Sequence, residues 1–251
     1  MIKILKLTKD NRGLAYSCLQ EKGMWGNEEH QESLSFTYKE FETDFSAYAA
    51  TYNGESAGHA IIINSKPPFS PVQSENSIFV HCLYVVNKFR NKGIGRQLMN
   101  LIEKDALDMG KDMIFVQSIS NEWMKKDFFI KREYKAIEDD GINFILMKKL
   151  NKISKFSFVK HEDHSIKAER DSIVINYNPL CPVMISHYRR FVQKLREEIP
   201  NIKITENYLI CSDDVCKNGE FGIYLNNTPL LINQRRISET IEIIISLRNS
   251  T

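Results

Sequence analysis

Ser77-Ile-Phe-Val-His81-Cys-Leu-Tyr-Val85-Val-Asn-Lys-Phe-Arg90-Asn-Lys-Gly93-Ile-Gly95-Arg-Gln-Leu-Met-Asn100-Leu-Ile-Glu-Lys-Asp105-Ala-Leu-Asp-Met109 decides how the chain reads. Ile78 to Val86 is apolar and β-prone. Asn87 to Gly95 is a short basic turn with two glycines. From Gly95 onward, Leu98, Met99, Leu101, Ile102, Ala106 and Met109 recur on one broad face, which predicts an amphipathic helix. Strand, glycine turn and helix together make a phosphate holder. Gly93 and Gly95 let the backbone approach an anion, the first N–H groups of the helix point at it, and Arg90, Lys92 and Arg96 add positive charge.

The spacing is R-x-x-G-x-G. It is neither G-x-G-x-x-G nor the Walker pattern, which needs a Lys-Ser/Thr after its last glycine. A plain anion-binding turn, or a mere tight turn, fits the residues by themselves. In its strand–helix frame the stretch resembles the acetyl-CoA loop of the GNAT family of N-acetyltransferases, with Arg90, Gly93 and Gly95 matching that motif position by position.

Outward from this stretch the composition is globular, with 42% hydrophobic and 26% charged residues among 251 and no low-complexity tract. Net charge is only +2, so neither general nucleic-acid binding nor a membrane-surface role is expected. The opening Met1-Ile-Lys-Ile-Leu-Lys-Leu7 is too short and too charged for a signal peptide, and no apolar run approaches the roughly 20 residues of a membrane-spanning helix. Five scattered cysteines suit a reducing compartment better than a disulfide framework. The expectation is a cytoplasmic protein.

Residues 2–7 read as a strand, followed by a helix through Leu19 and a second helix over roughly 29–45. Ala47 to Tyr52 and Ala57 to Asn64 flank Asn53-Gly54, the strongest short hairpin signal. Lys66 to Pro71 is a proline-punctuated loop, either a surface connection or a flap over a substrate. Met113 to Ser118 reads as a buried strand, 121–132 as a helix and Asn143 to Lys148 as a strand. Asn151 to Asp171 is polar and aperiodic, a linker. A second unit follows: strand 173–177, a turn through Cys181-Pro182, helix 185–199 stopped by Pro200, strand 202–206, a hairpin about Asn226-Asn227, and a last helix capped by Ser238. That order resembles a thioredoxin-like fold. With Tyr177-Asn-Pro-Leu-Cys-Pro-Val-Met-Ile-Ser-His-Tyr188, the whole is similar to bacterial acetyltransferases that carry a YoaP-like C-terminal domain.

The resemblance implies an α/β (α+β) chain: a GNAT acyl-CoA N-acyltransferase fold over 1–150, a linker over 151–171, and a small thioredoxin-like domain over 172–251. It implies direct transfer of acetyl from acetyl-CoA to a primary amine, with a small-molecule acceptor. A strand splayed from its neighbour would offer backbone near Leu83, Tyr84 and Val85 to the pantetheine arm. Arg90, Asn91, Lys92, Gly93, Ile94, Gly95 and Arg96 would hold the pyrophosphate, and Asn121 would face the arm or cap its helix.

Two proton transfers remain. By period-two alternation His81 lies on the face of Leu83 and Val85, so it is a candidate base; a packed strand histidine is the other reading. Glu75, at the strand's entrance, is the next candidate base or a solvated loop charge. The family's usual acid is a tyrosine in a pattern like F-Y-x-x-x-G-F. Here Phe128-Phe129-Ile-Lys-Arg-Glu133-Tyr134 puts phenylalanine at the tyrosine position and glutamate at the glycine, so water, Tyr134 or Tyr84 must donate, or the activity is weak or lost. The alternative to an enzyme is an acyl-CoA-binding sensor or a thiol-dependent module built on Cys181. Cys181 has no resolving cysteine at Met184, and it reads either as an activated thiol at a helix start or as part of a structural turn. A zinc site from His161, His164, Cys211 and Cys216 has no standard spacing, and no metal is expected.

Overall fold

Period-two and period-3.6 apolar patterns alternate through the first 150 residues, and each becomes a strand or helix wherever it can bury its apolar side. The computed structural model describes residues 1–37, 44–65, 69–119, 124–139, 143–158, 171–177, 179–210, 214, 218, 222–226, 228–230 and 237–249. The chain divides into two compact units, Met1–His30 with Leu34–Val159 and Gln31–Ser33 with Lys160–Thr251. Both are mixed α/β.

The first unit is a seven-stranded sheet. Its strands are β1 (Ile2–Lys6), β2 (Phe45–Tyr52), β3 (Glu55–Asn64), β5 (Ser77–Val85), β6 (Met113–Ile119), β8 (Asn143–Lys149) and β7 (Lys135–Asp139), in that spatial order. β4 (Val72–Ser74) pairs instead with β9 (Phe156–Phe158). The helices are α1 (Ser17–Glu21), α2 (Glu28–Thr37), α3 (Ile94–Asp108) and α4 (Lys126–Ile130). β5 and β6 are parallel, so a crossover must join them, and α3 is that crossover. Leu98, Met99, Ile102 and Ala106 of α3 are fully buried in one cluster with Ala60, Ile62, Ile78, Val80, Ile114 and Val116 of the sheet. Each such large side chain contributes about 2 kcal/mol.

The Asn53-Gly54 hairpin is as expected, with Tyr52 opposite Glu55 and φ of 51° and 88° at the two turn residues. Other expectations need correcting. Residues 12–15 form a 3-10 turn before the short α1, where the sequence suggested one helix through Leu19. Phe45 opens β2, where it buries against the sheet, and does not close the second helix. The presumed linker contains β9, and Phe156 lies 5.3 Å from the Phe115 ring, so the first unit runs past residue 150. β7 escaped the sequence reading because it is largely exposed and carries few apolar residues to mark a period.

The second unit has a four-stranded sheet in the order β11 (Lys203–Tyr208), β10 (Ser172–Tyr177), β12 (Gly222–Leu225), β13 (Thr228–Leu230). β10 and β11 are parallel, and the other pairs are antiparallel. Between β10 and β11 runs α5 (Pro182–Glu198), three residues longer at its start than expected because Pro182 takes the first helical position, where its missing N–H costs nothing. α6 (Ile237–Asn249) closes the unit. Phe191, Leu195, Ile241 and Ile244 pack with Ile173, Ile175, Tyr177 and Ile223. Among the described residues no helix is long and apolar enough to cross a membrane, and no His/Cys/Asp/Glu group could hold a metal ion. His161, His164, Cys211 and Cys216 lie outside the described residues.

Candidate active site

β5 and β6 pair only from Ser77–Met113 to Val80–Val116. Both strands continue, to Val85 and Ile119, and both stay paired on their far sides, with β3 and β8. The sheet therefore opens into a wedge in its middle, starting at His81. There the backbone of residues 81–85 faces the gap with no pairing to β6. Such an edge inside a sheet is a ready template for an extended ligand. The cause is local. Ile61 is opposite Cys82 while Ile62 is opposite Val80, so His81 is the extra residue of a β-bulge, which bends its strand and increases its twist.

At the wide end of the wedge the chain makes a 3-10 turn at Asn87–Phe89, extends through Arg90, takes φ of 62° at Asn91 and 82° at Gly93, and enters α3 at Ile94. Phe89 and Ile94 are buried and anchor the turn, while Arg90, Asn91, Lys92, Gly93 and Arg96 are exposed. The two glycines serve different ends. Gly93 needs its positive φ, and a Cβ there would meet nothing. A Cβ on Gly95 would lie 3.6 Å from both Val85 Cγ2 and the Phe128 ring, so any longer side chain there must displace the wedge's lip. Gln97 N–H reaches Gly93 O at 3.0 Å, which leaves the preceding first-turn amides of α3 without intrahelical acceptors. Free amides, the positive end of a 15-residue helix and three exposed cations fit a diphosphate. At the inner side, Gly58 of β3 has room for no Cβ, since one would come within 2.7 Å of Tyr84 O.

The candidate proton carriers are placed as follows. His81 is half-buried at the apex of the wedge, and desolvation pushes its imidazole down to about 4. The bulge corrects the expected face. Ile78, Val80 and Leu83 all join one core cluster, so the core-facing side changes from even to odd numbers across residues 81 and 82, and His81 does not share the face of Leu83 and Val85. Glu75 is exposed in the turn before β5. Eight residues of strand, roughly 25 Å, separate it from Leu83, which removes it as a base. Tyr134 is 1% exposed with its hydroxyl 3.4 Å from Glu103 Oε1. Burial and that carboxylate raise its pKa, and its hydroxyl is turned to Glu103 of α3. Tyr84 donates to Glu21 of α1, which also accepts from Asn87 N–H at 3.1 Å and so ties α1 to the start of the loop. Burial, then Glu21, raises the Tyr84 phenol as well. Asn121 lies outside the described residues.

The sequence reading missed three side chains that the fold brings together. Ser17 Oγ lies 2.7 Å from His59 Nδ1, and His59 Nε2 lies 3.2 Å from Cys82 Sγ. Ser17 and His59 are fully buried. Desolvation holds His59 down to about 3, so it is neutral at any physiological pH. The available signal was a histidine inside the apolar run Ala57–Ile63, which had to find a partner if buried.

Residues 14–128 match the model of the Acetyltransferase (GNAT) family. No curated protein matches the sequence. Among solved structures, the chain is similar to the PaiA N-acetyltransferase of Thermoplasma acidophilum in complex with coenzyme A (18% identity, 60% of this chain and 99% of that one, TM-score 0.41). It is also similar to the ribosomal-protein-S18-alanine N-acetyltransferase of Escherichia coli (13%, 62% and 97%, 0.46) and to a GNAT-family acetyltransferase of Staphylococcus aureus Mu50 (15%, 60% and 100%, 0.45). The matched residues contain the bulge, the wedge's β5 lip and the whole basic turn, and the N-terminal region of this chain is a GNAT acetyltransferase domain, an enzyme whose co-substrate is acetyl-CoA.

Proposed function

We propose that the N-terminal unit transfers acetyl directly from acetyl-CoA to a primary amine of a small molecule. The observation that carries this reading is the wedge that opens at His81 beside the anion-binding turn. Acetyl-CoA supplies a thioester carbonyl open to attack and a thiol leaving group. The amides from Arg90 to Arg96 take its diphosphate, and the exposed backbone of Leu83, Tyr84 and Val85 takes its pantetheine arm as an added strand. Leu83 N–H, next to the bulge, receives the negative charge that develops on the carbonyl oxygen. His81, neutral above about pH 4 and so a weak base, hands on to water the proton that the attacking amine must lose.

We read the second unit as a YoaP-like, thioredoxin-like domain that helps to select the acceptor. Among the described residues, its β-α-β-β-β-α order and the parallel β10–β11 pair support this. Cys181 is the N-cap residue of α5, and Met184 stands where a resolving thiol would be, so dithiol exchange is not its task. The near-neutral charge supports an enzyme that works on neither nucleic acid nor membrane, and the scattered cysteines support a reducing, cytoplasmic compartment.

Calorimetry with acetyl-CoA tests the assignment. The native protein is expected to bind, and the Gly93→Asp, Gly95→Asp double variant to lose affinity by about a hundredfold, since it brings carboxylates to the phosphate amides and strains φ at residue 93. No native binding, or equal binding by the double variant, overturns it. Release of coenzyme A thiol with a panel of primary amines then separates an enzyme from a sensor.

A further inference from the structure

We propose that Cys82 is the acid that protonates the departing coenzyme A sulfur, held for that task by His59 and Ser17. The proposal rests on the acetyl-transfer reading. It answers a gap in it, because Phe129 has no proton to give and Tyr134 is buried against Glu103.

Cys82 is half-buried, one residue past the apex of the wedge and one before Leu83, on the length of β5 that has no pairing to β6. Three elements converge on it: α1 through Ser17, β3 through His59, and β5 itself. In the tautomer this role requires, Ser17 O–H donates to His59 Nδ1 and the ring proton sits on Nε2. Nε2–H then donates to Cys82 Sγ. A donated hydrogen bond stabilises the thiolate more than the thiol, so it makes Cys82 a stronger acid. Burial forbids an imidazolium at His59, so the ring stays a neutral donor through the whole cycle and is a positioning residue. Other ionisable groups on the elements packed here are Cys18 and Glu21 of α1, Glu55 of β3, which pairs with Lys88, and His81 and Tyr84 of β5. Glu21 is turned to Tyr84 and Asn87.

The step balances. The bond between the acetyl carbon and the coenzyme A sulfur breaks, and the electron pair stays on that sulfur. The Cys82 S–H proton moves to it, giving coenzyme A thiol and a Cys82 thiolate. The proton that the amine gives up to His81 passes through solvent to restore Cys82. Donor and acceptor are both thiols near pKa 8.5, so the transfer is close to thermoneutral, whereas a tyrosine near 10 donates uphill.

The test is iodoacetamide labelling of the full chain across pH, resolved by site with mass spectrometry, using Cys18 as the internal comparison. Cys82 is expected to titrate below 8.5 and below Cys18. His59→Phe should raise it above 8.5, and Ser17→Ala, the milder change, should raise it part of the way. A Cys82 that titrates at or above Cys18, or that neither variant moves, overturns the proposal. In turnover with the amine panel, Cys82→Ser and Cys82→Ala are both expected to lower kcat at least tenfold with acetyl-CoA affinity by calorimetry unchanged within twofold. Native kcat in Cys82→Ser overturns the acid role and leaves the acetyltransferase reading intact. Absence of acetyl-CoA binding by the native protein overturns both.

Discussion

The two ends of the wedge are built on different principles. At the wide end, residues 87–96 offer backbone amides and exposed cations, and every group that matters lies within ten positions of the next. At the apex, the groups that matter are side chains from α1, β3 and β5, separated by 42 and 23 positions in the chain, with Ser17 and His59 packed out of water. The first arrangement is local and electrostatic. The second depends on the whole sheet, and its charge states are set by burial. Changes of pH or packing should therefore damage the apex and spare the turn.

The largest effect expected is acid lability. His59 and His81 are held to about 3 and about 4, below the ordinary 6.5 of the unfolded chain. Between those values only the unfolded chain is protonated at these sites, so stability is full above pH 6.5 and falls as pH falls through the window. The slope is up to about 1.4 kcal/mol per pH unit for each ring. His30 and His187, also lowered by burial, add with the same sign. Urea unfolding should show a loss of about 3 kcal/mol between pH 6.5 and 5. His59→Gln, which cannot titrate, should flatten that slope, and an unchanged slope would separate the apex from the effect. No imidazole lies among residues 87–96, so phosphate binding there should vary little over the same range.

This contrast also explains what could be read in advance. The R-x-x-G-x-G turn was legible because Arg90, Gly93 and Gly95 act through adjacent backbone. The Asn53-Gly54 hairpin was legible for the same reason. The Ser17–His59–Cys82 chain was not, since no spacing in sequence brings α1 to β3. Nor was the face of His81, because a bulge inserts one residue and reverses the alternation on which the expectation rested. The β4–β9 pair was hidden too. Two three-residue strands 84 positions apart carry no period of their own.

Phe129 sharpens the comparison from the other side. The sequence places it where a tyrosine acid is expected, yet it is fully buried, with its ring 5.0 Å from Phe128 and 5.5 Å from Tyr134. If this position belongs to the core, Phe129→Tyr buries a hydroxyl without a partner and should cost about 2 kcal/mol of stability with no gain in kcat. A rise in kcat without loss of stability would instead return the position to the wedge.

The smallest effect concerns why Phe129 and Tyr134 have that spacing at all. Tyr134 N–H bonds Phe129 O at 3.1 Å and Glu133 N–H bonds Ile130 O at 3.0 Å, the paired bonds of a Schellman helix end, with the two rings as its apolar contact. Such an end requires a left-handed residue one position before the last partner, and that residue is Glu133, at φ 69°. The glycine of the F-Y-x-x-x-G-F pattern thus has a conformational reason independent of any acid. Glutamate holds the same conformation at a cost of about 1 kcal/mol. Glu133→Gly removes that strain and forfeits a 3.8 Å pair with Lys148, whose value is small because the glutamate is 88% exposed and Lys148 keeps Glu103 at 3.0 Å. It also adds freedom to the unfolded chain, which takes back part of the gain. The net expectation is about 0.5 kcal/mol of added stability in urea unfolding with kcat unchanged, and a loss of stability would show that Glu133 is held by more than its backbone.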